Sequence, residues 1–298
     1  MMNKIGEKLQ EYRVKNNKTQ LEIADSLGIT QVHVSRVEQG KARPSASLVN
    51  RIASLIGEPI NLSKLQNYKI SDKNWNISYF VMGDMLSGDR VIVNNKTYKD
   101  AIYIIHVDSE GHNTAAKRAS DVFRIAAEAI ICSSLNSELT TPSYLLRSLD
   151  GAAKNLKEDW TVSSSCNIFN LKKEKNLLSF INAGMPGLYF YNASKRVIER
   201  LDGITKVKPV RELSSNQGLA DTYLVMNTGD ILASFSDGFL EFFGRVFSSS
   251  IDEYLATFSR TLRGDAEGLG SKILKDMVAN ENKVGSSDDI SFVIIGKN

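Results

Sequence analysis

Residues 101–118 read AIYIIHVDSEGHNTAAKR. The apolar run from Ile102 to Val107 ends at Asp108, and a Ser-Glu-Gly-His-Asn turn follows it before small residues that are typical of a helix start. This pattern predicts a buried strand that carries a carboxylate at its end, which is one way to hold a metal ion at the edge of a sheet. For one aspartate alone, a role in the turn or at a helix cap is the more common structure.

Three further segments place carboxylates at similar strand ends. They are LSGDRVIV with Asp89, LASFSDGFLE with Asp237, and SSDDISFVII with Asp288 and Asp289. The chain has only three histidines, so a zinc site built from several nitrogen or sulfur ligands is not expected. Oxygen ligands without softer partners favour Mg²⁺ or Mn²⁺.

The two cysteines, Cys132 and Cys166, are too few for a disulfide framework, and free thiols in a reducing cytosol are expected. Neither is followed by an arginine six residues later, which excludes a cysteine-phosphatase loop, and no GxGxxG or GxxxxGK(S/T) loop occurs. The N-terminus has no apolar signal region, and no apolar run reaches 18 residues. We therefore expect a cytoplasmic protein with no membrane partner.

The positive charge of the chain is concentrated in its N-terminal fifth. Residues 1–65 carry ten Lys/Arg and six Asp/Glu, a net charge of +4, whereas the remaining residues carry a net charge of −1. At 298 residues the chain is long enough for two domains. The charge distribution indicates a polyanion partner for the first of them only.

Four short helices are predicted between residues 4 and 57. The first covers residues 5–16 and has apolar residues near one face. The other three each follow a capping residue and end at a glycine, and Thr19 with Glu22 forms a capping-box pattern. The predicted N-caps are Thr19, Thr30 and Ser45, and the terminating glycines are Gly28, Gly40 and Gly57.

The run TQLEIADSLGITQVHVSRVEQGKARPS resembles the Cro-repressor/XRE family of helix-turn-helix DNA-binding domains. The resemblance implies an all-α DNA-binding domain over residues 1–65 whose third helix enters the major groove. A protein-docking module is the alternative. Because many such proteins bind DNA as dimers, a homodimer is one assembly that the pattern allows. The residues implied to face base edges are Gln31, Val32 and Arg36, and those implied to lie near phosphates are Gln20, Lys41 and Arg43.

Residues 66–75 are polar and lack periodicity, so they are predicted to be a linker. Residues 76–298 then alternate between apolar or period-2 runs and helical stretches in an order that indicates an α+β sandwich, with two β-sheets flanked by helices. The predicted strands are 76–86, 90–94, 102–107, 160–170, 176–182, 187–192, 222–226, 231–235 and 290–295, and the predicted helices are 114–135, 141–157, 249–262 and 269–280.

Five blocks of this second region resemble, in order, the metal-dependent serine/threonine phosphatases of type 2C, in the bacterial SpoIIE/PPM branch of sporulation and stress-response regulators. The similarity spans residues 76–297, and the order and spacing of the blocks make it specific. Asn113 and Met185 depart from the usual Gly and His of the family and affect the loops around the substrate. The blocks are Ser87-Gly88-Asp89, Asp108-Ser109-Glu110-Gly111-His112, Asn182-Ala183-Gly184-Met185-Pro186, Gly229-Asp230 with Ser236-Asp237-Gly238 and Glu241, and Asp288-Asp289-Ile290-Ser291.

The resemblance implies a site for two Mn²⁺ or Mg²⁺ ions that activate a water for attack on phosphorus. Asp108 and Asp237 would carry the catalytic role, and His112 or Asp230 could assist the leaving group. Adjacent residues of a strand point to opposite faces, so only one of Asp288 and Asp289 is expected to face the site easily. The implied metal ligands are Asp89, Asp108, the carbonyl of Ser109, Asp237, Asp288 and Asp289.

The implied activity is hydrolysis of phosphoserine or phosphothreonine on a regulatory protein. In the related bacterial branch, anti-sigma-factor antagonists are typical substrates, and the N-terminal domain would bind DNA. The alternative is a transcriptional regulator whose phosphatase-like domain is an inactive sensor or dimerisation module.

Overall fold

The computed structural model describes residues 3–42, 48, 51–52, 55–56, 68–82, 88–111, 114–134, 136–201, 206–214, 216–247, 249–262, 265–280 and 289–298. The chain divides into two compact units. The described residues up to 56 belong to the first unit, and almost all of those from 68 onward belong to the second.

The first unit is helical, as predicted. It contains α1 (Asn3–Lys15), α2 (Gln20–Ser26) and α3 (Gln31–Glu38), and the described positions 48, 51–52 and 55–56 are also helical. Thr19 accepts from the backbone N–H of Glu22 while the Glu22 carboxylate accepts from that of Thr19, so the capping box is confirmed. The predicted cap Ser45 and terminator Gly57 of the fourth helix lie outside the described residues.

A partly buried ion pair joins the ends of α1 and α3. Arg13 Nε lies 2.7 Å from Glu38 Oε1, and Gln20 Nε2 donates to Glu38 Oε2 at 2.8 Å. Since Glu38 is 6% exposed, these partners satisfy a carboxylate that would otherwise be costly to bury. The apolar core around them consists of Leu9, Ile23, Ala24, Leu27, Val34, Val37, Leu48 and Ile52.

The described residues of the second unit form two six-stranded sheets with helices outside them. Its helices are α4 (Thr114–Ser133), α5 (Pro142–Asn155), α6 (Asp237–Val246), α7 (Ile251–Leu262) and α8 (Ala266–Ala279). Its strands are β1 (Tyr68–Ser71), β2 (Trp75–Met82), β3 (Arg90–Asn94), β4 (Ala101–Ser109), β5 (Ser164–Lys172), β6 (Leu177–Ala183), β7 (Tyr189–Asn192), β8 (Val197–Arg200), β9 (Lys206–Val207), β10 (Thr222–Val225), β11 (Ile231–Phe235) and β12 (Ile290–Lys297).

Sheet I has the order β1-β2-β12-β11-β7-β8, and sheet II has the order β10-β6-β5-β4-β3 with β9 alongside β6. Helices α4 and α5 pack on sheet II, whereas α6, α7 and α8 pack on sheet I. This four-layer arrangement is the predicted α+β sandwich.

Strand β4 explains why residues 101–107 are almost continuously apolar. Ile102 and Ile104 point between the two sheets, and Tyr103 and Ile105 point toward the helices. A strand that is covered on both faces needs apolar residues at successive positions, not at every second one. His106 lies on the same face as Ile104, so this run carries a polar side chain into the space between the sheets.

The predicted linker over residues 66–75 is wrong for most of its length. Tyr68–Ser71 form β1, which pairs antiparallel with β2, and Tyr68 stacks on Tyr79 with ring centroids 5.2 Å apart. Because β1 is an edge strand with mostly exposed side chains, its sequence is polar and resembles a loop. The short strands β8 and β9 and the helix α6 were not predicted either.

Both cysteines are unpaired, as expected: Cys132 is exposed and Cys166 is buried. None of the helices in the described ranges combines the length and apolarity that a membrane span requires.

We expect the core beneath α5 to dominate the stability of the second unit. Leu149 is fully buried and Leu156 is 40% exposed, so Leu149→Ala should lower the free energy of unfolding by about 2–5 kcal/mol and Leu156→Ala by less than about 1 kcal/mol. Both tryptophans, Trp75 and Trp160, lie buried in the second unit, so urea unfolding followed by tryptophan fluorescence reports on this unit. Equal losses in the two variants would contradict the packing described here.

Candidate functional site

The candidate site lies where the ends of several strands meet. In sheet II, antiparallel pairing places the end of β4, the start of β5 and the start of β3 at one edge, since Ser109 pairs with Ser164 and Val107 with Arg90. In sheet I, the end of β11 and the start of β12 share an edge, since Phe235 pairs with Phe292. These are the strand ends that carry the predicted carboxylates.

Two backbone contacts hold Asp89 beside the end of β4. The N–H of Ser109 donates to Gly88 O at 3.2 Å. Gly88 packs so closely that a Cβ atom built on it would lie 2.1 Å from Ser109 O. Only glycine fits against this carbonyl, so the Gly-Asp pair and the strand-end pair Asp108-Ser109 form one compact corner.

Asp289 connects this corner with sheet I. Its Oδ2 accepts from the N–H of Gly88 at 3.1 Å, across the two sheets. Nearby, Ser236 caps α6, and its hydroxyl accepts from the N–H of Ser291 at 2.9 Å. Asp237 is therefore the first residue of α6, where it is exposed and its Oδ1 accepts from the N–H of Gly238 at 2.7 Å.

Asp89 is the buried member of this acidic group, with 5% of its surface exposed. Its pKa is raised to about 8: burial is the main cause and the charges of Asp289 and Asp237 add to it, while hydrogen bonds from Ser291 and Ser236 oppose the rise. Asp89, Asp237 and Asp289 thus lie within electrostatic range of one another. A set of oxygen donors that repel each other fits a divalent cation.

Within the part of the chain that the structure describes, no three acidic, histidine or cysteine side chains are close enough to hold an ion by themselves. Asp288, a predicted ligand, lies outside the described residues. The corner therefore offers a carbonyl, from Ser109, and a group of separate carboxylates.

The predicted role of Asp230 in assisting the leaving group is wrong. It precedes β11 whereas Asp237 follows it, and a five-residue strand spans roughly 17 Å. Its carboxylate accepts from the N–H groups of Ala193 and Asn227, both at 2.8 Å, so it organises turns at the far end of the sheet. His112, the other candidate, and Asn113 lie outside the described residues.

The Asn182–Pro186 loop is held from within. Asn182 Nδ2 donates to the carbonyls of Met185 and Pro186 at 3.2 and 3.1 Å, and Met185 is fully buried. Met185 therefore contributes to the apolar packing at the position where the resembling family has a histidine.

Sequence reasoning missed His106. Its ring is fully buried, which lowers its pKa to about 3, and its two nitrogens lie 2.8 Å from Ser234 Oγ and 2.7 Å from Ser291 Oγ. The sequence feature that could have identified it is a lone polar residue inside an apolar strand, two positions before Asp108. Such a residue must find buried partners, and here both of them lie in sheet I.

In the first unit, α3 exposes the residues predicted to face DNA. Gln31, Val32 and Arg36 are exposed, and Val32 has 61% of its surface accessible. Lys41 is exposed as well. Gln20 is half-buried with its amide committed to Glu38, so its first role is structural, and Arg43 lies outside the described residues.

Comparison with known proteins matches both units to families. A family model described as Stage II sporulation protein E (SpoIIE) matches residues 99–298, and a helix-turn-helix model matches residues 9–62. A 10 kDa protein of the ImmF control region of Bacillus phage phi105 is 29% identical over 70 residues, which is 24% of this chain and 78% of that protein.

Solved structures share the fold at low identity. The RsbU and RsbW domains of a Mycobacterium tuberculosis protein superpose with a TM-score of 0.60 at 17% identity over 76% of this chain, which spans 60% of the length of that structure. The PP2C phosphatase domain of SpoIIE from Bacillus subtilis, with a fragment of its regulatory domain, gives a TM-score of 0.58 at 12% identity, covering 84% of this chain and 74% of that one.

If the carbonyl of Ser109 is a metal ligand, Gly88→Ala should weaken Mn²⁺ binding by about tenfold or more, because the new Cβ atom displaces that carbonyl. Gly151→Ala is the matched control in the same unit, since a Cβ atom built on Gly151 has no neighbour within 4 Å. Titration calorimetry on the metal-free full chain measures both. Unchanged Mn²⁺ affinity in Gly88→Ala would remove Ser109 from the predicted ligand set.

Proposed function

Because the chain belongs to the Stage II sporulation protein E family, we propose that it is a metal-dependent phosphatase that removes phosphate from phosphoserine or phosphothreonine of a regulatory protein. The observation that carries the proposal is the acidic corner, where Asp89, Asp237 and Asp289 interact electrostatically beside the end of β4. PP2C-type phosphatases depend on Mn²⁺ or Mg²⁺, and these donors are of the type that both ions prefer.

Two such ions, when bound, would lower the pKa of a water and neutralise phosphate oxygens. The proposed ligands are Asp89, Asp108, the Ser109 carbonyl, Asp237, Asp288 and Asp289, with Asp108 shared between the ions. These ligands would hold the ions in place. The close contact between Gly88 and the Ser109 carbonyl would keep that carbonyl in position.

The cysteines do not suit a covalent mechanism. Cys166 is fully buried, and burial raises its pKa, so it is a poor nucleophile. Cys132 is exposed on α4, with Thr97 Oγ1 3.7 Å from its sulfur. Direct attack by water, without a phosphoenzyme, is the reaction that these residues support.

A phosphorylated regulatory protein is the proposed substrate, with an anti-sigma-factor antagonist as one class. The mycobacterial structure combines an RsbU domain with an RsbW domain, which supports a regulatory partner. We further propose that residues 1–65 read DNA through α3, as a homodimer or a monomer, and that the protein acts in the cytoplasm. The proposed phosphatase domain covers residues 76–298 together with β1.

A transcriptional regulator with an inactive phosphatase-like domain, serving as a sensor or for dimerisation, is the second candidate. It is favoured by the separation of the carboxylates, since no three of the described acidic, histidine or cysteine groups can hold an ion alone. The two candidates differ in metal-dependent turnover.

We expect Asp108→Asn to lower kcat/KM for p-nitrophenyl phosphate with Mn²⁺ by about a hundredfold or more, because the variant loses the shared anionic ligand. Asp159→Asn is the matched control, since this side chain is 41% exposed and pairs with Arg118 at the surface. Indistinguishable rates for the wild type and Asp108→Asn, on this substrate and on phosphopeptides, would favour the inactive-domain candidate.

Arg36→Ala should weaken binding to a duplex selected from a random pool by about 1–3 kcal/mol, the range for a lost base contact. Lys41→Ala should instead lower the salt slope of binding by about one. Arg118→Ala, the same substitution on the surface of the second unit, should leave DNA affinity unchanged. Fluorescence anisotropy at several salt concentrations measures all three, and absent or salt-independent binding would favour a protein-docking role.

A further inference from the structure

A buried chain of hydrogen bonds links the two sheets and ends on Asp89. Asn167 Nδ2 donates to Ser234 Oγ at 2.9 Å, and Ser234 Oγ lies 2.8 Å from His106 Nδ1. His106 Nε2 lies 2.7 Å from Ser291 Oγ, which donates to Asp89 Oδ2 at 2.6 Å. None of the five residues is more than 5% exposed, so the chain is shielded from water. We refer to these residues as the His106 chain.

The donors in the His106 chain can be assigned from the number of hydrogens available. Ser291 Oγ donates its single hydroxyl hydrogen to Asp89 Oδ2, and an Asp89 carboxylate that binds a cation is ionised and can only accept. The oxygen of Ser291 must then accept from His106 Nε2–H. In a neutral imidazole the other nitrogen is an acceptor, so Nδ1 receives the hydroxyl hydrogen of Ser234.

Asn167 completes the order, because its amide donates to the oxygen of Ser234. Every donor in the His106 chain therefore points toward Asp89. A serine hydroxyl alone can rotate among several staggered positions. With its oxygen occupied by His106 Nε2–H, the hydroxyl of Ser291 has a preferred direction, and that direction is Asp89 Oδ2.

We propose that His106 is a positioning residue for the metal site: it holds Ser291 as a committed donor to Asp89 and so fixes the rotation of that carboxylate. The inference rests on the proposed function, because it treats Asp89 as a ligand. His106 does not touch the ions or the substrate. It acts through Ser291, from the opposite sheet.

The fold alone does not account for the His106 chain. Ile102, Ile104, Phe169 and Val293 already pack between the sheets. Replacing a buried hydrogen-bonded pair by apolar groups of the same shape is often nearly neutral for stability. A polar chain that crosses between the sheets and ends on a candidate ligand indicates a role in holding that ligand.

Two substitutions of similar size separate the two ring nitrogens. The amide nitrogen of His106→Gln reaches the position of Nε2 and can donate to Ser291, whereas the shorter side chain of His106→Asn reaches only the position of Nδ1, beside Ser234. We expect His106→Asn to weaken Mn²⁺ binding by about 10–100-fold, the usual effect of losing a partner behind a ligand, and His106→Gln by less than about threefold.

Titration calorimetry with Mn²⁺ on the metal-free full chain measures these affinities without requiring turnover, and thermal unfolding of the same samples reports stability. Tyr103→Phe is the stability control, because it removes buried hydrogen bonds of β4 to the carbonyls of Ser137 and Thr140. It should lower the melting temperature and leave Mn²⁺ affinity unchanged.

Ser291→Ala tests whether His106 acts through the serine. The double variant His106→Asn/Ser291→Ala should bind Mn²⁺ no more weakly than Ser291→Ala alone, since both changes interrupt one pathway. Additive losses would overturn the proposal. So would equal affinities in His106→Asn and His106→Gln, whether both match the wild type or both fall in step with thermal stability.

The failure of the proposed function would look different. In that case the wild-type chain would bind no Mn²⁺, or Asp108→Asn would bind it as tightly as the wild type. If the wild type binds Mn²⁺ and Asp108→Asn does not, the metal site stands, and the comparison of His106→Asn with His106→Gln decides the positioning role alone.

Discussion

The burial of β4 on both faces is the constraint on which the second unit depends. Ile102 and Ile104 need sheet I as cover, and Tyr103 and Ile105 need α4 and α5. Once both layers are in place, the end of β4 is the point where the edges of the two sheets meet. His106 ties that meeting point together, since its partners Ser234 and Ser291 belong to β11 and β12.

Bringing the strand ends together has an electrostatic cost. Asp89 becomes buried beside Asp289 and Asp237, and the rise in its pKa reflects both the loss of water and the repulsion between like charges. Apolar packing between the layers offsets this cost, because many fully buried side chains contribute against a few carboxylates. A cation bound at the corner would attract these carboxylates and so replace their mutual repulsion by a net attraction. Cation binding and folding of this corner are therefore coupled.

The features that could be predicted from the sequence are those set by residues close together in the chain. The capping box of Thr19 and Glu22 lies within four residues, and the apolar run before Asp108 reports burial directly. Contacts between distant segments are different: the pairing of β1 with β2 and the bond from Gly88 to Asp289 depend on the tertiary fold. The misassignment of Asp230 has another origin, because the predicted strand 231–235 already places Asp230 and Asp237 at opposite ends of one strand.

The two units use charge in opposite ways. In the first, the acidic Glu38 is buried and neutralised by Arg13, which leaves Arg36 and Lys41 exposed on a surface of net positive charge. In the second, acidic groups gather at a sheet edge, where Gly88 N–H donates to Asp289 and Ser291 donates to Asp89. A surface of the first kind attracts a polyanion by itself, whereas a phosphate reaches the second only if cations are bound there first. Under the proposed function, metal supply would therefore control the phosphatase reaction and not DNA binding.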